Sequence, residues 1–407
     1  MRMKATLRHM MLIVCALAAV AVTAQNNTAS PFSCFGLGDI NDNVPNTYRA
    51  LGGVGVGMRN NKVICPAQPA SYTACDSLTF MFDLAADVMW TRYGDDAGIK
   101  NKANGNLEYI TLQFPLYKRW IAFSAGLLPF SSVGYDISLN DSINSDYHYT
   151  TAFNGEGGIS EVYGGLSVNL FDWVALGANV YYMFGDVANS RGVSFTESAV
   201  QTVAQVSYIS TSSVRFREGL QFFHTFGKHN FALGAIFENK RTLKSTLLIV
   251  ETNQLDTVWM LKDVAEVPMM FGVGGSYTWD NRLTIGFDYS KSYWSKTNIL
   301  EGLDKLRDRN RYAFGLEYRH NPYGRNYAER MFWRVGCSMT DSYVEKVKKP
   351  DFIVSMGMGF PLRNAGTIFN VSIEYGHRGP AAKLEENFLR MTLNASIAEN
   401  WFFKRRL

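Results

Sequence analysis

Apolar and polar residues alternate with a period of two along most of the chain after residue 77. Near the C-terminus, for example, Leu389, Met391 and Leu393 alternate with Arg390 and Thr392. Comparable alternation occurs at 78–85, 174–182, 231–238, 283–290, 312–319, 331–340, 352–360 and 369–376. This pattern predicts β-strands with one apolar and one polar face. Each segment has roughly the ten residues that a tilted strand needs to cross a bilayer.

A soluble β-sandwich also alternates, so the choice between a sandwich and a membrane barrel depends on other features. The segments are longer and more uniform than globular strands, whose usual length is about 5–6 residues. Aromatic residues also cluster at the segment ends, where the girdles of a membrane barrel would lie. They are Trp120, Trp173, Trp279, Tyr289, Trp294, Tyr318, Tyr375 and Trp401. Both features favour a transmembrane β-barrel.

The connections between the segments alternate in length. Short turns are predicted at 117–119, 171–172, 227–229, 280–281, 321–328 and 363–366, and long loops at 93–106, 129–158, 185–213, 241–265, 293–309, 341–350 and 378–385. This interleaving predicts an all-β antiparallel barrel of fourteen strands, with short periplasmic turns, long outer loops and both termini in the periplasm. Residues 199–210 and 245–260 also alternate, and we assign them to hairpins above the membrane.

The first 24 residues have the features of a signal peptide. Arg2, Lys4 and Arg8 precede an apolar run that ends near Val22, and a small-residue pattern suits cleavage before Gln25. Cys15 lies within the run, but the residues before it do not suit a lipoprotein signal. The sequence therefore predicts export to the outer membrane of a Gram-negative bacterium, as a multi-pass protein.

Composition and charge exclude several classes. Aromatic residues make up 14% of the chain and charged residues 19%, which excludes a disordered protein. Residues 1–24 contain three basic and no acidic residues, so the remainder has 37 basic and 36 acidic residues. A nearly neutral chain has no field with which to hold nucleic acid.

The chemistry-bearing residues indicate neither an enzyme nor a metal site. The histidines are scattered, no CxxC pair occurs, and no serine lies beside a histidine in a catalytic pattern. We therefore predict no catalytic residues, no metal and no cofactor. Cys34, Cys65 and Cys75 are close enough in sequence for one disulfide, and free buried thiols are the alternative. Charged residues on the polar strand faces are of mixed sign, which predicts ion pairs with one another or with the N-terminal segment; they are Asp83, Asp288, Glu317, Arg334, Glu374 and Arg390.

Residues 25–77 do not follow the strand pattern. They are rich in Gly, Pro, Asn and Ala, with the run 51–57 (LGGVGVG) at their centre. No alternating strand precedes this run, which argues against a dinucleotide site. Because the apolar residues here would stay exposed in an unstructured tail, we predict a hatch or plug at 25–77 inside a barrel formed by 78–407. A periplasmic tail is the alternative.

Several short motifs resemble those of a known family. Phe35-Gly36-Leu37-Gly38-Asp39, Ala50-Leu51-Gly52-Gly53, Pro69-Ala70-Ser71-Tyr72, Asp76-Ser77-Leu78-Thr79-Phe80 and the ending 399–404 are similar to FadL-type outer-membrane proteins of the Bacteroidetes. The resemblance implies a fourteen-stranded barrel with an N-terminal hatch. It also implies passive uptake of hydrophobic molecules such as long-chain fatty acids. The family's hatch motif reads Asn-Pro-Ala, whereas this chain has Gln68, Pro69 and Ala70.

A second part of the resemblance concerns the third strand, which contains Pro129, Phe130 and Gly134. Proline cannot donate to a sheet ladder, so Pro129 should interrupt strand pairing. In the family this sequence resembles, a kink in the third strand opens the wall to lipid. We hypothesise that Pro129 and Gly134 flank such an opening and that Phe130 lies on the ligand pathway. The alternative is that Pro129 merely ends the strand.

Two functions remain at this stage. The first is a transporter that takes a hydrophobic small molecule and releases it among the outer-membrane lipids. The second is a barrel that does not transport small molecules but serves as a subunit or cargo carrier of an outer-membrane protein complex. The resembled family supports both, since it includes the shuttle subunit of the type IX secretion system.

Overall fold

The computed structural model describes residues 28, 30–95, 98–144, 147–195, 203–252, 257–299, 305–347, 349–362, 366–381 and 384–400. Its strands are β1 (Asp39–Ile40), β2 (Thr79–Asp95), β3 (Gly98–Tyr117), β4 (Ile121–Asn144), β5 (Tyr147–Phe171), β6 (Val174–Phe195), β7 (Val203–Phe226), β8 (His229–Glu238), β9 (Arg241–Leu243), β10 (Ser245–Thr252), β11 (Thr257–Lys262), β12 (Ala265–Val267), β13 (Met270–Trp279), β14 (Leu283–Ser292), β15 (Arg309–Tyr318), β16 (Phe332–Thr340), β17 (Asp351–Pro361), β18 (Ile368–Ala381) and β19 (Leu384–Asn400). Its helices are α1 (Asn46–Arg49) and α2 (Tyr327–Arg330), with 3₁₀ turns at Pro31–Cys34, Pro69–Ala74 and Trp294–Lys296. No helix among these residues is long and apolar enough to cross a membrane.

Fourteen of these strands close into one antiparallel barrel. Strands β2 to β8 pair in chain order, β8 pairs with β13, β13 to β19 continue in order, and β19 pairs with β2. The closing register places Leu389 of β19 opposite Trp90 of β2. The predicted all-β barrel with fourteen strands is therefore confirmed.

The alternation in sequence becomes an alternation between lumen and outer surface. On β7, Arg215 and Arg217 face the lumen and are 3% and 5% exposed, while Phe216 and Phe222 face outward and are 42% and 44% exposed. Exposed tryptophans lie beside the short turns, including Trp120, Trp173 and Trp279. An apolar outer band with aromatic residues at its rim is what a bilayer requires of a barrel.

Three of the predicted long loops are in fact strand. Residues 93–106, 129–158 and 185–213 mostly belong to β2 to β7, which have up to 25 residues, whereas β14 and β15 have 10 residues each. At about 3.3 Å per residue, the longest strands extend well beyond a bilayer. The loop prediction was wrong here because these extensions lack the outward apolar face that marks a membrane strand. Their apolar side chains, such as Val133, Tyr135 and Ile137, pack inward in a buried cluster instead.

The described parts of 199–210 and 245–260, residues 203–210, 245–252 and 257–260, belong to the same extension. Residues 204–211 of β7 pair with β10, and β10 pairs with β11. Together, β4, β5, β6, β7, β10 and β11 form a tall wall on one side of the barrel. We call the end that carries this wall the tall end, and the opposite end, where consecutive strands join by short turns, the short-turn end.

Much of the segment 30–77 packs against the inner faces of the barrel strands. Tyr48, Leu51, Val54 and Cys65 form a buried cluster that includes Ala313 of β15. A second cluster joins Ile64 and Tyr72 to lumen-facing residues of β2 to β6. Among the described residues, Cys34, Cys65, Cys75 and Cys337 form no disulfide with one another. The signal-peptide prediction for 1–24 and the motif at 401–404 fall outside the described residues.

At the tall end, a third cluster covers the lumen. It brings the N-terminal segment and β4 to β7 together with the connections that follow β8, β14 and β16, through Leu37, Phe130, Ile209, Leu247, Trp294 and Tyr343. The rings of Trp294 and Tyr343 lie 4.8 Å apart. Beneath this apolar cover, the lumen contains the two clusters described above together with many buried polar and charged side chains.

Candidate functional site: the lumen and the wall beside Pro129

The predicted hatch motif connects the N-terminal segment to two strands. The side-chain amide of Gln68 donates to the carbonyl oxygens of Val56 at 3.1 Å, Ala235 on β8 at 3.3 Å and Leu220 on β7 at 3.4 Å. Its carbonyl oxygen accepts from the backbone N–H of Ala70. Pro69 and Ala70 begin the 3₁₀ turn that this hydrogen bond caps. Gln68 therefore holds the segment against the inner face of β7 and β8.

The glycine run binds an anion that belongs to the protein itself. The carboxylate of Asp288 on β14 accepts hydrogen bonds from the backbone N–H groups of Gly55, Val56 and Gly57, at 2.6, 2.7 and 3.1 Å. Successive N–H groups that point to one place make an anion-binding concavity. Sequence analysis rejected a dinucleotide site here but did not identify this use of the run, although Asp288 was among the charges expected to pair.

A buried ion network crosses the lumen below Phe130. The Arg215 guanidinium lies 2.7 Å from Glu161 on β5 and 2.6 Å from Glu238 on β8, and Arg217 pairs with the same Glu238. Arg215 also lies over the ring of Phe130, 5.4 Å from its centroid. Phe130 thus packs onto the charged network from the side of the apolar cover. The sequence pattern did not predict this network, because Glu161, Arg215 and Arg217 lie outside the segments with recognised alternation.

A second group of charges surrounds α1. Arg49 pairs with Glu108 on β3 and lies 3.7 Å from Glu374 on β18, which is 3.5 Å from Arg390 on β19. Arg390 is also 3.4 Å from Asp87. These charges are well enclosed, and buried charges that lose a partner are costly. Displacement of α1 would leave the buried charges around it without partners, so these ion pairs hold this part of the segment in place.

Asp42 connects the segment to β15. Its carboxylate lies 2.8 Å from Arg309 and 3.0 Å from Arg311. Burial opposes ionisation of Asp42, but the two guanidinium groups outweigh burial and hold the pKa of this carboxyl well below its ordinary value. Closer to the tall end, Arg378 pairs with Asp39 at 2.9 Å. The segment is thus tied to the barrel by ion pairs at both positions.

The barrel wall is interrupted between β3 and β4. Their pairing extends from Tyr117 and Ile121 to Ile110 and Leu127 and stops there. Beyond Leu127, β4 remains paired with β5, with a bulge at Phe130. The side of β4 that faces β3 is instead met by β1, where Asp39 and Ile40 pair with Ser132 and Ser131. We call this interruption the β3–β4 gap.

The three wall residues singled out in the sequence all lie at this gap. Pro129 is the second residue after the last β3–β4 pair. The carbonyl oxygen of Phe130 accepts from the backbone N–H of Asn41 at 2.9 Å. The backbone N–H of Gly134 donates to the Ser33 hydroxyl oxygen at 3.1 Å. The N-terminal segment thus occupies the edge that β4 would otherwise offer to β3.

The two larger cavities of the described lumen have mixed linings in which polar groups predominate, whereas a smaller third cavity has a mainly apolar lining. The largest, about 890 Å³, opens at the short-turn end and is lined by Lys62, Arg319, His224, Asn230 and other polar residues. Two smaller cavities, of about 160 and 80 Å³, lie between the segment and the strands near Asp42. Within the described residues, none of these three is an apolar chamber of the size that usually holds a small ligand. No group of three or more potential metal ligands occurs there either.

Solved structures with a similar fold include two toluene transporters and a FadL homologue. The Ralstonia pickettii toluene transporter TbuX matches with a TM-score of 0.59 and 13% identity over 87% of this chain and 98% of its own. The Pseudomonas putida toluene transporter TodX matches with 0.59 and 14% over 93% and 100%. A Pseudomonas aeruginosa FadL homologue matches with 0.61 and 10% over 90% and 100%.

These matches confirm the FadL-type fold that the sequence motifs predicted. At such low identities they establish the architecture alone. No protein of curated function is detectably similar to this chain. The family model named BamG, by contrast, matches residues 6–407, nearly the whole sequence. The chain therefore belongs to the BamG family.

Proposed function

We propose that this protein is an outer-membrane transporter of hydrophobic small molecules, with both termini in the periplasm and lateral release into the membrane at the β3–β4 gap. The observation that carries the proposal is the loss of β3–β4 pairing beyond Leu127, with β1 in the place of the missing contact. Because β1 rather than β3 pairs with β4 at this position, the wall can open by displacement of β1 without loss of pairing between barrel strands. The named structural neighbours transport toluene, which supports ligands of this apolar class.

The N-terminal segment acts as the hatch in this proposal. It fills the lumen and supplies the strand that closes the gap, so a ligand passes only if the segment shifts. Gln68, Pro69 and Ala70 anchor its far side to β7 and β8. The displacement therefore needs to involve only the part near Asp39 and Ile40, with Gln68 as the fixed end.

A disulfide between β1 and β4 tests the proposal. Ile40 and Ser131 are register partners, and directly opposed residues of an antiparallel pair are close enough for a disulfide in favourable cases. We expect oxidised I40C/S131C to lose uptake of radiolabelled toluene or a long-chain fatty acid by intact cells, and reduction to restore it. The control is F314C, which faces native Cys337 across β15 and β16 on the lipid side and should leave uptake unchanged.

A second function is favoured by a separate observation. The described lumen is filled by the segment and its ion pairs, and the tall end is covered by the apolar cluster around Trp294 and Tyr343. In addition, Val258, Trp259 and Met260 on β11 are 62%, 57% and 64% exposed. A closed barrel with exposed apolar residues fits a subunit or cargo carrier of an outer-membrane protein complex.

The same uptake experiment separates the two functions. Cells that carry the wild-type protein would take up no more hydrocarbon than cells without it if the barrel is a complex subunit. That outcome would contradict transport, whatever the disulfide does. If uptake requires the protein but oxidation of I40C/S131C does not reduce it, the transport function is supported and lateral release at the gap is contradicted.

A further inference from the structure

One acidic side chain lies on the lipid-facing surface of the barrel. Glu218 on β7 is exposed, with its side chain on the same outer face as Phe216 and Leu220. Its register partners are Ala178 on β6 and Phe237 on β8. All four neighbours are apolar, so the carboxyl group is set into an apolar surface.

The position of Glu218 along the strand places it at the depth of the hydrocarbon. It precedes Phe226, which ends β7 at the short-turn end, by eight residues. A strand tilted by about 40° rises about 2.5 Å per residue, so Glu218 lies about 20 Å above that turn. The apolar band of a membrane barrel is about 25 Å tall. Glu218 is therefore inside the band, towards its outer edge.

The rest of the protein does not compensate this charge. Within the described residues, Glu218 has no ion pair and no side-chain hydrogen bond. The exposed Arg241 lies over the ring of Phe216 on this face, 5.4 Å from its centroid, and forms no ion pair with Glu218. The buried acids Glu161 and Glu238, in contrast, are each paired with arginine. Ionisable groups that face lipid are costly, and they are typically retained for a function.

We propose that the face around Glu218 binds a second integral outer-membrane protein, which presents an arginine or lysine to this carboxylate at the same depth. Ala178 and, opposite Leu220, Ala235 leave little side-chain bulk beside Glu218, and small residues allow close approach of membrane proteins. We commit to a different protein rather than a second copy of this chain, because a two-fold contact centred on Glu218 would set the two carboxylates against each other. The inference does not depend on the transport proposal.

Photo-crosslinking in intact outer membranes of the native host tests this face. A photoreactive residue at position 178 should give one discrete protein adduct, and the same residue at Met356, on the lipid-facing side of β17 and 57% exposed, should react only with lipid. In the E218L and E218K backgrounds, we expect the adduct at position 178 to fall at least tenfold. The captured protein should be an integral membrane protein, and reversing its basic residue to Glu should restore the adduct with E218K.

Two further measurements keep a structural role apart from a binding role. Heat-modifiable gel migration should show that E218L folds. In vesicles, its resistance to unfolding should equal or exceed that of the wild type, since the substitution removes a carboxyl group from the hydrocarbon. R241Q should retain the adduct. The proposal is overturned if position 178 gives only lipid adducts, or if a protein adduct persists in E218L. It is also overturned if R241Q loses the adduct and unfolds more readily, since that result would assign Glu218 to an internal ion pair with Arg241.

Discussion

The carboxylate of Asp288 accepts a 2.6 Å hydrogen bond from the backbone N–H of Gly55, and the next two N–H groups converge on the same carboxylate. One strand residue thereby fixes the centre of a segment that lies more than two hundred residues away in sequence. The contact also explains why the run is rich in glycine. A Cβ at Gly57 would collide with the backbone of β13 at Gly274 and Gly275, so the backbone reaches Asp288 only without side chains there.

Substitution of Asp288 by Ala should loosen the N-terminal segment. Three buried N–H groups lose a charged acceptor, and hydrogen bonds to charged groups are worth about 1.5–3 kcal/mol each. We expect the free energy of unfolding in vesicles to fall by roughly 2–4 kcal/mol, because water replaces part of the loss. Limited proteolysis should then cut the segment near residues 55–60. D280N, in a turn at the short-turn end, is the control and should behave as the wild type.

Gly38 should be required for β1 to meet β4. Its φ angle is +90°, and a Cβ there would collide with Ser132 and Val133. A left-handed conformation costs a non-glycine residue about 1–2 kcal/mol before any collision is counted. We expect G38A to detach β1, which should appear as faster cleavage or hydrogen exchange at residues 38–41. G98A is the matched control, since a Cβ at Gly98 meets nothing within 4 Å; equal exchange in the two variants would contradict the prediction.

The thiol of Cys65 should report displacement of the segment. Burial raises the pKa of Cys65 to about 12, and only the thiolate reacts with maleimides. At pH 8 the folded protein should therefore label at Cys65 several hundred-fold more slowly than the urea-unfolded chain, as measured by mass spectrometry. Because the folded pKa is raised, this group stabilises the fold below the ordinary thiol pKa, and the contribution is lost as pH rises towards 12. If labelling of Cys65 accelerates when toluene or a fatty acid is added, the ligand moves the segment. If Cys65 labels at the unfolded rate without ligand, its buried position is contradicted.

Acid should release the segment at Asp42. The pKa of this carboxyl is held low by Arg309 and Arg311, so its contribution to stability is present above the ordinary Asp pKa of about 3.9 and is lost as pH falls through the lower folded value. Protease sensitivity of residues 38–50 should therefore rise below about pH 4. In D42N the step should be smaller or absent, and the segment should be more sensitive at neutral pH. A pH profile of D42N that matches the wild type would assign the acid response to other carboxyls.

The architecture was predictable because a barrel in lipid imposes a local rule. Each strand must alternate between lipid and lumen, so Leu389, Met391 and Leu393 identify their strand without knowledge of its neighbours. The loop prediction at 129–158 was wrong where lipid no longer imposes this rule, because a strand in water can carry polar residues on its outer face, as β4 does at Asp136 and Asn140. Their pairing depends on the adjacent strand rather than on the residues themselves.

The sequence by itself therefore determined the strand period and the number of membrane crossings. The hatch at 25–77 and the role of Pro129 stay predictions, although β3–β4 pairing does end two residues before Pro129. Only the tertiary structure decided that Asp288 meets the glycine run, that Arg215 bridges Glu161 and Glu238, and that β1 fills the β3–β4 gap. These partners lie tens to hundreds of residues apart, and closure of the barrel brings them together. The physical reason is that alternation specifies which way a side chain points, whereas the register around the closed sheet specifies what it meets.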